Sequence, residues 1–118
     1  MVSDLEKTLV DISTNPCLCG GIAELGRAIL KARIRIIDRK LFYYFERNGS
    51  VPAKKRFLYL TDLLNQEWSS EHERMRESLG KTIVLLDKAA PDQGRILMKF
   101  GLKINVDPSQ LRKEIYHG

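Results

Sequence analysis

The chain has 118 residues, 43% of them apolar and 30% charged, with a formal net charge of +5. That length suits one domain with a single core, and the composition excludes a globally disordered chain. No apolar run approaches the roughly 18 residues of a membrane span, and "MVSDLEKTLV" lacks the basic start and apolar middle of a signal peptide. An intracellular protein, cytoplasmic or nuclear and without a membrane partner, is therefore expected.

The first helix is expected from Ser3, whose hydroxyl can cap the backbone while Glu6 reaches back three residues later. Leu5, Leu9 and Ile12 supply its apolar face, and Thr14-Asn15-Pro16 ends it because proline disfavours helical geometry in the residue before it. A long helix is then predicted from about Ile22 to Arg47. Ile22, Leu25, Ile29, Ala32 and Ile36 form one apolar stripe, and Leu30, Ile34, Ile37, Leu41 and Tyr44 form a second beside it. So wide an apolar face needs more than one packing partner. "LFYYF", residues 41–45, is aromatic nearly all round and predicts burial at that end, and Asn48-Gly49 is a left-handed stop.

"AKKRFLYLTDLLNQEW", after Val51-Pro52, reads as a third helix with Phe57, Leu60, Leu64 and Trp68 on one face. Ser70-x-x-Glu73 predicts a capping box opening a fourth helix, with Met75, Leu79, Thr82, Ile83 and Leu86 inward and an end at Ala90 before Pro91; Gly80 interrupts its pattern. Beyond it, "PDQGRILMKFG" reads as a short helix around Ile96, Leu97 and Phe100. "LKINV" alternates like a strand, but a lone strand has no partner, so an extended connector is expected. Asp107-Pro108-x-Gln110 starts a last helix that runs to about Tyr116. Without repeats or linkers, residues 1–118 form a single all-α domain, a compact bundle or short superhelical array of about five to six helices.

The charge is unevenly placed. From Arg27 to Arg56 ten basic residues face two acidic ones, a net of +8, against −3 for the rest of the chain. Arg27, Lys31, Arg35 and Arg39 recur every four residues and so climb one side of the long helix, extended by Lys54, Lys55 and Arg56. Such a ridge suits an anionic partner, nucleic acid or an acidic or phosphorylated protein segment. The other reading is a solvated helix face. Tyr43, Tyr44 and Tyr59 either interleave with these charges and stack on bases, Tyr43 and Tyr59 being the leading candidates, or are core residues with a hydroxyl at the edge.

Catalytic chemistry has little to work with. His72 and His117 are the only imidazoles, each in a polar setting expected to be exposed, and no H-E-x-x-H, P-loop or G-x-G-x-x-G motif occurs. Carboxylates interleave with cations, as in "EHERMRE", the pattern of a solvated helix face. The cysteines Cys17 and Cys19, in "NPCLCGG", are too close to bridge each other without strain. They read as small apolar residues at an interhelical corner, as half of a four-thiolate metal site shared across a homodimer, or as thiols made reactive by a following helix start. A binding protein without catalytic residues or cofactor is expected. The alternatives are a protein–protein module forming a homo- or hetero-oligomer, a helix-turn-helix regulator built on "YLTDLLNQEWSSEHERMRESLG", and a C-x-C metal or redox protein.

"PAKKRFLYLTDLLNQ" carries a resemblance. Lys54-Lys55 followed by Leu58-Tyr59-Leu60-x-Asp62 resembles the central helix of domains that bind the RNA polymerase II C-terminal tail, and more distantly of their superhelical VHS/ENTH-like relatives in membrane traffic. The likeness spans about 15 residues, and Gln66-Glu67 stand where the family has asparagine-serine. It implies a right-handed array of helices, with Asp62, Lys54, Lys55 and Arg56 at a phosphopeptide groove.

Overall fold

In the computed structural model, which describes residues 5–14, 21–32 and 38–117, the chain is organised around one helix whose start is written in three residues. Ser50 is extended and its hydroxyl accepts from the Ala53 N–H at 3.2 Å, while Pro52 occupies the first turn, where no intrahelical donor is needed. The helix they open, α4 (Val51–Leu63), buries every residue from Lys55 to Thr61. Helices with an outer face show a stripe; α4 shows none because neighbours cover it on all sides. It ends at Leu64, followed by Asn65 at φ 54°, so it stops short of the predicted Trp68.

Around α4 lie α1 (Leu5–Thr14), α2 (Ile22–Ala32), α3 (Asp38–Asn48) and α5 (Ser70–Glu77). α1 packs on α2, α3 and α4, and α5 packs on α3 and α4. Leu9, Val10, Leu25, Ile29, Leu41, Phe45, Phe57 and Leu60 are buried together at the centre. An aromatic cluster closes one end: Phe57 lies 5.0 Å from Phe45 and 6.4 Å from Phe42 between ring centroids. The predicted helix over 22–47 is seen as α2 and α3; its middle, and the Ser3 cap, lie outside the described residues. α6 (Pro108–His117) packs on α2 and begins as predicted, with Asp107 Oδ1 accepting from the Ser109 N–H at 3.0 Å. These six helices, among the described residues, make a mostly helical bundle measuring 40 × 32 × 24 Å. No described helix is long and apolar enough to cross a membrane.

The segment between α5 and α6 departs from expectation. The fourth helix was expected to reach Ala90, but α5 ends at Glu77, and Gly80 follows at φ 78°. The left-handed glycine turns the chain out of the helix, and the β-branched residues after it enter a sheet instead. That sheet has three strands, β1 (Val84–Leu85), β2 (Arg95–Leu97) and β3 (Leu102–Ile104), in the order β1-β3-β2. β3 pairs parallel to β1, with Val84 opposite Leu102, and antiparallel to β2, with Ile96 opposite Lys103. The alternation in "LKINV" was a strand signal after all: Leu102 and Ile104 are buried and Lys103 is half-buried. Its partners come from elsewhere in the chain, and one of them, Arg95–Leu97, is a strand where the local pattern predicts a helix.

Two cations fix this sheet to α4. Arg56 donates from Nε to the Leu86 carbonyl at 3.1 Å and from Nη2 to the Leu85 carbonyl at 3.2 Å, and Lys55 Nζ donates to the Thr82 carbonyl. Side chains on α4 thus satisfy the Leu85 carbonyl in β1 and the Thr82 and Leu86 carbonyls that flank the strand. Gly101, at φ 65°, makes the turn between β2 and β3 directly beneath this contact; a Cβ there would sit 2.8 Å from Lys55 Nζ and 2.9 Å from the Thr82 carbonyl oxygen.

Candidate functional site

The outer face of α3 follows from its apolar spacing. Leu41, Phe42 and Phe45 are buried, so the residues a turn apart on the opposite side, Arg39, Tyr43 and Arg47, face solvent. Tyr43 is 52% exposed, which corrects the expectation that "LFYYF" is buried all round. The Arg47 guanidinium carbon lies 5.4 Å from the Tyr43 ring centroid, within cation–π range, and Tyr44 packs edge-on to Tyr43 at 5.7 Å. Arg47 was not among the predicted site residues. The signal that could have found it is the four-residue spacing Arg39, Tyr43, Arg47, offset from the ridge that drew attention. Glu46 is an exposed carboxylate on the same helix.

The predicted basic ridge is only partly brought together. Lys31, in the last turn of α2, and Arg39 are exposed. Arg27 is half-buried and engaged: its Nε and Nη2 donate to the Glu114 carbonyl at 3.2 and 2.7 Å, and it pairs with Glu24. It holds α2 to α6. Arg35 lies outside the described residues, as do Cys17 and Cys19. Among the described residues no cluster of three or more His, Cys, Asp or Glu side chains could hold a metal ion.

The extension of the ridge along Lys54-Lys55-Arg56 is corrected. Lys55 is 0% exposed and Arg56 2%, both spent on sheet carbonyls, so neither can meet a partner at the surface. Burial also pulls the Lys55 ammonium below its ordinary pKa, because desolvation penalises the charge. Lys54 is half-buried and lines a small pocket of about 110 Å³ with Phe42, Glu46, Glu71, Arg74 and Met75, where Glu71 Oε2 is buried without a hydrogen-bond partner. Of the residues that the resemblance would place at a phosphopeptide groove, Lys54 and exposed Asp62 keep surface access. Tyr59 is likewise corrected as a surface stacking ring: it is buried, edge-on to Phe100 at 5.8 Å.

The two histidines separate. His117 is exposed, but His72 is buried, tilted against Trp68 at 5.1 Å and stacked with Phe57 at 6.1 Å. Its Nδ1 accepts from the Ser69 N–H at 3.0 Å while the Ser69 hydroxyl takes the His72 N–H, so the capping box of α5 is Ser69–His72, one residue before the predicted pair. Glu73, freed from the cap, accepts instead from Trp68 Nε1 at 3.1 Å and from Arg76 Nε at 2.6 Å. Those bonds, Arg76 first, lower the Glu73 carboxyl below its ordinary pKa. Compared with protein families, with curated proteins and with solved structures, the chain matches none.

Proposed function

We propose that the protein is a non-catalytic binding module that docks single-stranded nucleic acid along the outer face of α3. The observation that carries this reading is the alternation Arg39, Tyr43, Arg47 on consecutive turns, with the central ring half exposed and one guanidinium against it. Single strands are held by cations that track phosphates and by aromatic faces on which bases stack, each stacked base being worth about 1–3 kcal/mol. Lys31 adds a further exposed cation from α2. An acidic protein segment would use the same charges but gains less from the tyrosine.

The test is anisotropy of a labelled oligothymidine as salt is raised. Each phosphate neutralised on a single strand contributes about −0.7 to the slope of log affinity against log salt, so R39Q/R47Q is expected to flatten the slope by about 1.4. Y43A is expected to cost about 1–3 kcal/mol of binding and leave the slope unchanged. An affinity indifferent to salt, or to all three substitutions, overturns the proposal. Loss of oligothymidine binding with retained, salt-sensitive binding of a polyglutamate peptide moves the partner to the acidic-protein class.

A further inference from the structure

Away from α3, the β2–β3 hairpin and the start of α6 border a cavity of about 590 Å³, within the size range of small-molecule sites. Tyr59 lines it. The residue is 5% exposed, its ring is held against Phe100, and its hydroxyl makes no hydrogen bond to any described residue. The ring is buried while the hydroxyl keeps access to the cavity, where a ligand acceptor takes the place of water as its partner. Desolvation, and secondly the neighbouring Asp62 charge, raise its pKa above the ordinary 10.0, so it stays a donor at physiological pH.

The other polar groups sort by whether they are already engaged. Asn105 spends its amide on the loop over 87–91: Oδ1 accepts from the Asp87 N–H, and Nδ2 donates to the Asp87, Ala90 and Pro91 carbonyls. The Asp107 carboxylate accepts from the Ser109 N–H at the start of α6, where a helix favours negative charge. Arg95 is exposed at the rim and forms no ion pair with a described residue. Leu97, Ile104 and Val106 supply apolar wall between these groups.

We propose that this cavity is a binding site for a small amphipathic monoanion, whose charged group meets Arg95, whose apolar body lies on Leu97, Ile104 and Val106, and which offers an acceptor to the Tyr59 hydroxyl. A neutral apolar ligand would leave Arg95 unused, and a dianion would meet Asp107 unfavourably. The site is separate from the α3 face, so its occupancy and nucleic-acid binding are measured independently.

Fluorescence titration of the full chain with anilinonaphthalene sulfonate tests the site, with phenylnaphthylamine as the probe that keeps the apolar body and lacks the anion. The sulfonate is expected to bind saturably at one per chain. R95Q should weaken it about tenfold or more, as expected for a lost charge-assisted bond, while hardly changing phenylnaphthylamine. Y59F should weaken the sulfonate by about two- to tenfold. Near-UV circular dichroism of both variants verifies that the fold is retained; R95Q changes an exposed side chain and carries the test alone if Y59F is perturbed. Unsaturable binding, or equal response of both probes to R95Q, overturns the proposal.

Discussion

At the scale of single residues, the sequence "KKR" does two opposite things. Lys54 reaches the surface, whereas Lys55 and Arg56, next in line, are internal donors to the sheet. The lowered pKa of Lys55 has a signed consequence. Between the folded value and the ordinary 10.5, the unfolded chain holds more of this proton than the folded one. Stability contributed by Lys55 therefore rises with pH through that window and levels above it. In Lys55→Met this component is gone, while all other titrations are shared. Urea unfolding at a series of pH values is expected to show the stability difference moving in favour of the unsubstituted protein as pH climbs toward the ordinary 10.5. A difference that stays level would mean the ammonium is not desolvated. No sequence signal marks Lys55 as internal, because its acceptor belongs to Thr82, in a strand region that local pattern alone does not place.

At the scale of elements, starts were more legible than ends. The aspartate before α6 and the proline that opens it carry their chemistry within a few neighbouring residues, so that start stands as expected, whereas α4 begins at Val51, ahead of the expected Ala53, on a Ser50 cap. α5 shows the limit of that reading. The pattern pointed to Ser70 with Glu73, but the cap is Ser69, whose reach-back partner His72 also fills the aromatic cluster with Phe42 and Phe57. Tertiary packing of the imidazole thus overrides the local Ser-x-x-Glu signal. Ser69→Ala is expected to cost about 1 kcal/mol, within the usual range for a lost N-cap, and Ser70→Ala much less. Chemical denaturation of the two variants separates them; a larger loss for Ser70→Ala than for Ser69→Ala would return the cap to Ser70. The helix expected through Ala90 failed for a different reason. Its apolar residues fit a helix as well as a strand over so short a run, and only pairing with Leu102 and Lys103 selects the strand.

At the scale of the whole molecule, the helical class was legible because long apolar periodicities dominate the first two-thirds of the chain. The candidate face was half legible. Net charge pointed to the stretch from Arg27 to Arg56, and Arg39 and Tyr43 are indeed exposed on α3. Charge alone could not separate cations that face solvent from those that hold the fold: Arg27 holds α6, and Lys55 and Arg56 hold the sheet. Among the described residues of that segment, Lys31, Arg39, Lys40 and Arg47 are the exposed cations on which attraction of an anionic strand would draw.

The seating of β1 on α4 also bears on how the molecule comes apart. A short three-stranded sheet at the edge of a helical bundle would ordinarily open by itself, far below the free energy of global unfolding. Here the sheet cannot leave without breaking the hydrogen bonds from Lys55 and Arg56 and uncovering the apolar side of α4 where Tyr59 packs on Phe100. Opening the sheet and loosening the central helix are thus one event. Native-state hydrogen exchange should show the amides of Val84 and Leu86, which donate to the Gly101 and Lys103 carbonyls, exchanging with the same free energy as those in the middle of α4. Faster exchange at the two strand amides would make the sheet an independent unit. Slow, matched exchange would make the hairpin region part of the single cooperative body.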